Sequence, residues 1–394
     1  MMGFMEKRNA ILQGIYKNAE RNILNLRTHC KRGCLFCFQR QSGDKYPAQG
    51  EEVIISLEEY KACFNSFDYD KDIVISGGDI FNYPGIYDIL DALIKEIKSR
   101  GKNPKIEIIS TFADFDISRL SLLKSYDNFF LALSLITFDT SFKNHIMKGA
   151  GWTERQTKML KELIEEGIFR HILIWDFGSE KGLQKDLNIL KKCVKKMGEK
   201  QPNKKVDIIL SYPSSTRFAS PLVKKYTENA VKNYSKAVNI LRHAFSDIEN
   251  VRLSVYTIRN LDDEIMPSLK DLTAITSWQE DFNERIRKSY EFCIAENINL
   301  DEVGFITASA CYSYAKKAFP ELNWIYAENK YFGGDIIASS LLTFEDLETA
   351  IAGLPYKYYV LSKNIVAETG GEADVLRRTI EDFEKQNNCK TLLF

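Results

Sequence analysis

The chain has 394 residues, of which 54 are Lys or Arg and 54 are Asp or Glu, so its formal net charge is zero. The length predicts one large domain and one smaller one. The balanced charge argues against a surface that tracks nucleic-acid phosphates, so we expect no nucleic-acid partner. Eight cysteines, three of them clustered, indicate metal or redox chemistry more than a disulfide framework.

The N-terminal segment and the apolar runs indicate where the protein resides. The first 22 residues carry dispersed charges and lack the apolar core and cleavage site of a signal peptide. No apolar run in the sequence approaches the roughly 20 residues that a membrane-spanning helix needs. We therefore expect a cytoplasmic protein with no membrane partner.

Strands and helices alternate through the first two thirds of the chain. A helix is predicted over residues 5 to 22, and six strands follow at residues 22–28, 72–76, 105–110, 129–136, 171–175 and 206–210. Capping signals mark helix starts at Ser56 and Thr153, and a long helix is predicted from Leu222 to Ala244. The alternation predicts a parallel sheet, either open and doubly wound or an incomplete barrel.

The pattern changes after residue 250. A strand is predicted over residues 251–258, a long amphipathic helix over 272–296, and shorter apolar runs at 335–342 and 358–362. We place a boundary near residue 260. The predicted domains are therefore an N-terminal helix (1–21), a large α/β domain (22–260) and a smaller α+β domain (261–394).

Three cysteines, Cys30, Cys34 and Cys37, lie on the loop after the first strand, and Gly33 gives that loop conformational freedom. Three thiols leave a tetrahedral zinc site incomplete, and the sequence has no second ligand pair. His29 adjoins Cys30, so both would reach one metal only with strain. An iron–sulfur cluster is held by cysteine thiolates and can leave one iron open for a small ligand.

Other polar residues follow the neighbouring strands. They are Gly77-Gly78-Asp79, Ser110 with Thr111, and Ser134 with Thr137. Active groups of parallel α/β folds lie at the carboxyl ends of the strands. The sequence therefore predicts that these residues and the cysteines share one site.

Residues 22 to about 215 resemble the radical S-adenosylmethionine (SAM) enzymes. The resemblance rests on the spacing Cys30-x-x-x-Cys34-x-x-Cys37, with aromatic Phe36 before the last cysteine. It implies that the three cysteines bind three irons of one [4Fe–4S] cluster, whose fourth iron takes the amino and carboxylate groups of SAM. It also implies an α/β fold with an incomplete (βα)6 TIM-type barrel.

The resemblance implies further SAM contacts. Gly77-Gly78-Asp79 matches the family's Gly-Gly-Glu motif, which contacts the amino group of SAM, with Asp in place of Glu. Ser134 falls at the position where the family binds the ribose or the carboxylate of SAM. Asp176 is expected to lie near the adenine, and the backbone of Phe36 is expected to lie against the adenine ring. Lys31 and Arg32 either offset the charge of the cluster or face solvent.

The implied reaction is reductive cleavage of SAM to a 5′-deoxyadenosyl radical that abstracts hydrogen from an unidentified substrate. The implied partners are an electron donor such as ferredoxin or flavodoxin and a small-molecule or peptide substrate. The alternative is a non-catalytic metal-binding or iron–sulfur assembly module that uses the same cysteines.

Two features lie outside that motif set. Residues 300 to 375, above all 329–347, faintly resemble an uncharacterised domain that follows radical SAM domains in some iron–sulfur oxidoreductases. The remaining cysteines are expected to be small buried side chains, and they are Cys63, Cys193, Cys293, Cys311 and Cys389.

Overall fold

The computed structural model describes residues 16–17, 21–26, 30, 32–41, 55–148, 151–255, 273–334, 336, 339–367 and 373–394. The chain divides into two compact units. The N-terminal unit comprises residues 1–40, 47–213 and 220–254, and the C-terminal unit comprises residues 41–46, 214–219 and 255–394. The predicted boundary at residue 260 lies outside the described residues.

A parallel sheet forms the centre of the N-terminal unit. The described strands of this unit are β1 (Tyr16–Lys17), β2 (Arg21–Asn25), β3 (Gly33–Cys34), β4 (Asp72–Ser76), β5 (Ile106–Ser110), β6 (Phe129–Ile136), β7 (Met147–Lys148), β8 (His171–Trp175), β9 (Val206–Ser211) and β10 (Val251–Val255), of which β3 and β7 form a separate two-stranded sheet. The large sheet has the order β1-β2-β4-β5-β6-β8-β9-β10. Within the described ranges its two edges, β1 and β10, do not pair with each other, so the seven parallel strands form an incomplete barrel as predicted.

Helices connect these strands. They are α1 (Leu57–Phe64), α2 (Ile86–Ser99), α3 (Leu120–Lys124), α4 (Thr140–Ile146), α5 (Glu154–Glu165), α6 (Glu180–Lys200), α7 (Pro221–Lys232) and α8 (Tyr234–Phe245). Ser56 and Thr153 form the predicted capping boxes at the starts of α1 and α5. The apolar stripe of α2 is buried, with Leu90 and Leu93 fully inaccessible. Burial of such a stripe stabilises a helix on the sheet by the hydrophobic effect.

The structure differs from the predicted elements near both ends of this unit. The helix expected over residues 5 to 22 does not reach its predicted end, because Tyr16–Lys17 pairs antiparallel with residues 22–23 in β2. The rest of that helix lies outside the described residues. The single helix expected from Leu222 to Ala244 is two helices that meet at Asn233. The Asn233 amide donates to the carbonyl of Asn229 at 2.9 Å, and such side-chain bonds compete with helix continuation.

The sequence did not reveal the helix α4 or the short strand β7. The helix α4 contains a buried lysine, Lys143. Lys143 is 2% exposed, and its ammonium lies 3.8 Å from the centre of the Trp152 ring. Burial lowers the pKa of Lys143 to about 7, although the nearby carboxylate of Asp186 opposes this shift. The ring contact also favours the charged form, but desolvation is the larger effect.

We expect this lysine to make the stability of the protein rise with pH between about 7 and 10.5. In that range the unfolded chain binds more protons at this position than the folded chain does, because the pKa of Lys143 falls from 10.5 on folding. The total change is of the order of a few kcal/mol, since one pKa unit corresponds to about 1.4 kcal/mol. Urea unfolding of the wild type and of Lys143→Met across this range measures it. Equal pH slopes for the two proteins would contradict the prediction.

The C-terminal unit has its own sheet. Its strands β11 (Val303–Ala308), β12 (Trp324–Ala327), β13 (Tyr358–Leu361) and β14 (Lys390–Leu393) have the order β12-β11-β13-β14 and are all parallel. Its described helices are α9 (Thr273–Ala295), α10 (Ser309–Ala318), α11 (Phe344–Ile351), α12 (Asn364–Ala367) and α13 (Ile380–Asn387). The expected α+β arrangement is replaced by alternation of strands and helices, because parallel strands require crossover connections.

None of the helices in the described residues has the combination of length and apolar character needed to span a bilayer.

Candidate functional site

The cysteine loop, residues 30–37, begins beyond the end of β2. The sulfur of Cys30 accepts two backbone N–H groups, from Arg32 and from Asp79, each at 3.4 Å. Asp79 follows β4, the neighbour of β2 in the sheet. The first cysteine and the Gly-Gly-Asp turn therefore meet at the carboxyl edge, as the strand-end pattern predicted.

The second half of the loop is held by a different part of the chain. The strand β3 pairs antiparallel with β7, so Cys34 lies opposite Met147 and Gly33 opposite Lys148. The N–H of Leu35 also donates to the carbonyl of Ile146 at 2.8 Å. A Cβ atom on Gly33 would lie 2.1 Å from the Lys148 carbonyl oxygen. Glycine is therefore required here for close approach of two backbones, and not for a positive φ.

The three thiols influence one another. The pKa of Cys34 is raised to about 12, mainly by burial and then by the negative charges of Cys37 and Cys30. Asp79 acts in the same direction, whereas the positive charge of Arg32 lowers the pKa. The N–H of Cys37 donates to the carbonyl of Cys34 at 3.2 Å, which turns the third cysteine back toward the second.

Gly77 and Gly78 both have positive φ angles, 108° and 86°, which favour glycine. A Cβ atom on Gly78 would lie 2.7 Å from the Cβ and 2.9 Å from the sulfur of Cys30. The turn therefore allows Cys30 to approach its backbone closely.

Asp79 is 5% exposed and binds side chains from two other segments. It accepts hydrogen bonds from Arg32 in the cysteine loop and from Ser110 and Thr111 after β5. The strand-end pair Ser110 and Thr111 thus contributes to the site, through Asp79.

Aromatic side chains lie beside the cysteine loop. The ring centre of Phe36 is 4.8 Å from that of Trp175 and 5.7 Å from that of Phe177, and both of these residues lie at the end of β8. The indole N–H of Trp175 donates to the hydroxyl of Ser134 on β6 at 3.3 Å. The structure therefore brings two predicted residues, Phe36 and Ser134, together through Trp175.

Asp176 points to different surroundings from its neighbours. It lines a cavity of about 200 Å³ together with Leu183 on α6 and with Lys236 and Ala237 on α8. Its carboxylate accepts the N–H of Gly178 at 2.8 Å, and burial raises its pKa. Because side chains alternate along a strand, Trp175 and not Asp176 faces the cysteine loop. The role of Asp176 at the adenine stays a prediction.

The other cysteines are buried to different degrees, and Cys63 on α1 is only partly buried. Cys293 is buried in a hydrophobic cluster of the C-terminal unit, and Cys311 packs against the same cluster. Cys389 belongs to a second cluster, and Cys193 is buried on α6. These environments suit small apolar side chains.

The residues of the site fit an iron–sulfur cluster. Cysteine thiols are the donors that such clusters use, and Cys30 already accepts two N–H bonds of the kind that tune cluster sulfur. Over the described ranges, no three His, Cys, Asp or Glu side chains are grouped to hold a metal ion. A single ion needs its ligands to converge on one point, whereas each thiol of a cluster of this type binds a different iron.

Comparison with known families supports the resemblance to radical SAM enzymes. Residues 24–179 match the family described as the Radical SAM superfamily. This part of the chain is a radical SAM domain. Radical SAM enzymes use a [4Fe–4S] cluster and SAM. No curated protein matches the chain significantly.

Several solved structures are similar to part of this chain. Streptococcus suis SuiB bound to S-adenosylmethionine is 14% identical, with a TM-score of 0.41 over 60% of this chain and 50% of SuiB. A spore photoproduct lyase mutant is 12% identical, with a TM-score of 0.44 over 65% of this chain and 85% of the lyase. The FeFe-hydrogenase maturase HydG from Carboxydothermus hydrogenoformans is 15% identical, with a TM-score of 0.42 over 68% and 60%. The chain spans about half the length of SuiB.

Sequence reasoning missed Trp175, which the structure places beside the cysteines, and it left Arg32 open between the cluster and solvent. Arg32 is 7% exposed, so it does not face solvent. Lys31 lies outside the described residues. Trp175 is the last residue of a predicted strand. Side chains alternate between the two faces of a strand, and this alternation was the signal that Trp175, and not Asp176, faces the cysteine loop.

Proposed function

We propose that the chain is an enzyme that cleaves SAM reductively and abstracts hydrogen from a small-molecule or peptide substrate. The observation that carries the proposal is the contact between the cysteine loop and the Gly-Gly-Asp turn, where the N–H of Asp79 donates to the sulfur of Cys30 at 3.4 Å. It brings the proposed cluster ligands beside the backbone that the family uses to bind SAM.

The proposed roles of the three cysteines and the two glycines are those expected from the sequence. Cys30, Cys34 and Cys37 would hold a [4Fe–4S] cluster. The backbone carbonyls of Gly77 and Gly78 would accept hydrogen bonds from the amino group of SAM. When bound by these cysteines, the cluster would supply the reducing electron that cleavage of SAM and hydrogen abstraction from the substrate require.

The side chains around the cysteine loop would position SAM and exclude water from the site. Phe36, Trp175 and Phe177 form an apolar wall beside the loop, which suits a flat adenine ring. The hydroxyl of Ser134 fixes the Trp175 ring, and it would also offer a polar contact to the ribose or carboxylate. A small electron donor such as ferredoxin or flavodoxin, a cytoplasmic location and a substrate-shaping role for the C-terminal unit complete the proposal.

The test is anaerobic reconstitution followed by reduction in the presence of SAM. We expect a brown protein with about four irons per chain, as a single cubane cluster requires, and release of 5′-deoxyadenosine. Deuterium-labelled candidate substrates then report on hydrogen abstraction through label in the 5′-deoxyadenosine. A colourless, zinc-loaded and folded protein would overturn the proposal.

The contrasting function is a module that binds a metal or transfers a cluster without catalysis. It predicts an intact cluster that does not bind SAM. Equilibrium dialysis of the reconstituted protein against labelled SAM separates the two functions.

A further inference from the structure

Four donors occupy the two carboxylate oxygens of Asp79. One oxygen accepts the hydroxyl of Ser110 and the N–H of Thr111, the latter at 3.3 Å. The other accepts the Nε–H of Arg32 at 3.0 Å and the hydroxyl of Thr111 at 2.6 Å. A carboxylate offers about four acceptor positions. An ammonium group of a ligand could therefore bind Asp79 only by displacing one of these donors.

Arg32 joins the cysteine loop to two strand ends. Its Nε binds Asp79, which follows β4, and its Nη2 binds Asp114, which lies in the connection after β5. Asp114 in turn accepts the side-chain amide of Asn82 at 2.6 Å. The backbone N–H of the same arginine donates to the sulfur of Cys30. One residue thus fixes both the first cysteine and the turn that faces it.

The Arg32–Asp79 pair is buried, with side-chain exposures of 6% and 3%. Removing one partner of a buried ion pair leaves a charge without compensation and is strongly destabilising. The loop conformation therefore depends on both partners.

We propose that Arg32 is a positioning residue that fixes the cysteine loop through Asp79 and Asp114, and that Asp79 anchors this loop instead of contacting the amino group of SAM. The proposal deepens the proposed function and rests on it. The aspartate is one methylene shorter than the glutamate of the family motif, and its carboxylate ends among Ser110, Thr111 and Arg32. The amino group of SAM is then left to the backbone of the two glycines.

The test compares Arg32→Gln, Asp79→Asn and the double variant. In the reconstituted proteins we measure the rate of iron loss to a chelator and the affinity for labelled SAM by equilibrium dialysis. Each single variant is expected to lose iron about tenfold faster or more, as for other residues that orient metal ligands. The double variant is expected to be no worse than the poorer single variant, because the residues act as one pair. SAM affinity of the fraction that keeps its cluster should stay close to that of the wild type.

Hydrogen exchange of the metal-free proteins provides a second readout. Faster exchange is expected in peptides that contain the N–H groups of Arg32 and Asp79 in both single variants. Arg252→Gln is the matched control, because it also breaks an Arg–Asp pair, with Asp207, but at an arginine that is 60% exposed. It should leave iron retention and exchange of the cysteine loop unchanged.

Two results would overturn the proposal. Asp79→Asn could weaken SAM binding while iron retention stays normal, which would make Asp79 a ligand contact. Alternatively, unchanged iron loss and unchanged exchange in Arg32→Gln would show that this arginine does not hold the loop. If the wild type binds neither cluster nor SAM, the proposed function fails, whereas hydrogen exchange of the metal-free proteins still tests the role of Arg32.

Discussion

Cys34→Ala is expected to remove the iron–sulfur absorption of the reconstituted protein and to abolish release of 5′-deoxyadenosine. Each of the three cysteines would bind its own iron, so no neighbouring thiol replaces the one that is lost. Cys34 is also the cysteine that β3 places opposite Met147, so its backbone is held whether or not metal is present. Iron and sulfide content, visible absorption and product analysis measure the effect.

Cys63→Ala is the control for this experiment. Cys63 is a partly buried thiol on α1, outside the cysteine loop. This variant should keep the iron content and the SAM cleavage of the wild type. Full iron content in Cys34→Ala, or an equal loss in Cys63→Ala, would contradict the assignment of the cluster to residues 30–37.

Gly78→Ala is expected to prevent cluster binding by displacing Cys30. The new methyl group would lie 2.7 Å from the Cβ of Cys30, and the backbone φ of 86° is itself unfavourable for alanine. The backbone conformation alone costs about 1–2 kcal/mol. Cβ atoms do not approach so closely, so either the turn or the cysteine must move. Iron content after reconstitution and the free energy of unfolding of the metal-free protein are the measurements.

Gly85→Ala separates the effect of backbone strain from the effect of the contact with Cys30. Gly85 also has a positive φ, 74°, but a Cβ atom there would meet nothing within 4 Å. Backbone strain should lower the free energy of unfolding of this control by about as much as it does in Gly78→Ala. The control should nevertheless retain its iron. Normal iron content in Gly78→Ala would show that Cys30 adapts to the methyl group and that the close approach is not required.

Buried apolar runs made the strands of the N-terminal unit predictable. The runs 72–76, 129–136 and 171–175 coincide with β4, β6 and β8, because each is bounded by polar or turn residues that cannot extend a buried strand. The capping boxes at Ser56 and Thr153 were equally predictable from the sequence, because their hydrogen bonds join residues three positions apart. Elements that depend on distant partners, such as the pair β3 and β7, left no periodic signal.

The candidate site was predictable in its position and less so in its contacts. The strand ends specified that the cysteines, the Gly-Gly-Asp turn and Ser110 with Thr111 meet at one edge. They did not specify that Asp79 binds Arg32, because an arginine in a loop usually lies in solvent. That pairing depends on the distance between two loops, which becomes defined only when the sheet has formed.

The pairing of β3 with β7 has a consequence for the order of events during synthesis. Cys34 leaves the ribosome long before Met147, its partner in the structure, and Asp79 and Asp114 are also made after the cysteines. Until those partners arrive, the thiols belong to a short segment without a defined shape. The protein is therefore expected to receive its cluster after translation has passed β7, on a folded sheet and not on the nascent loop.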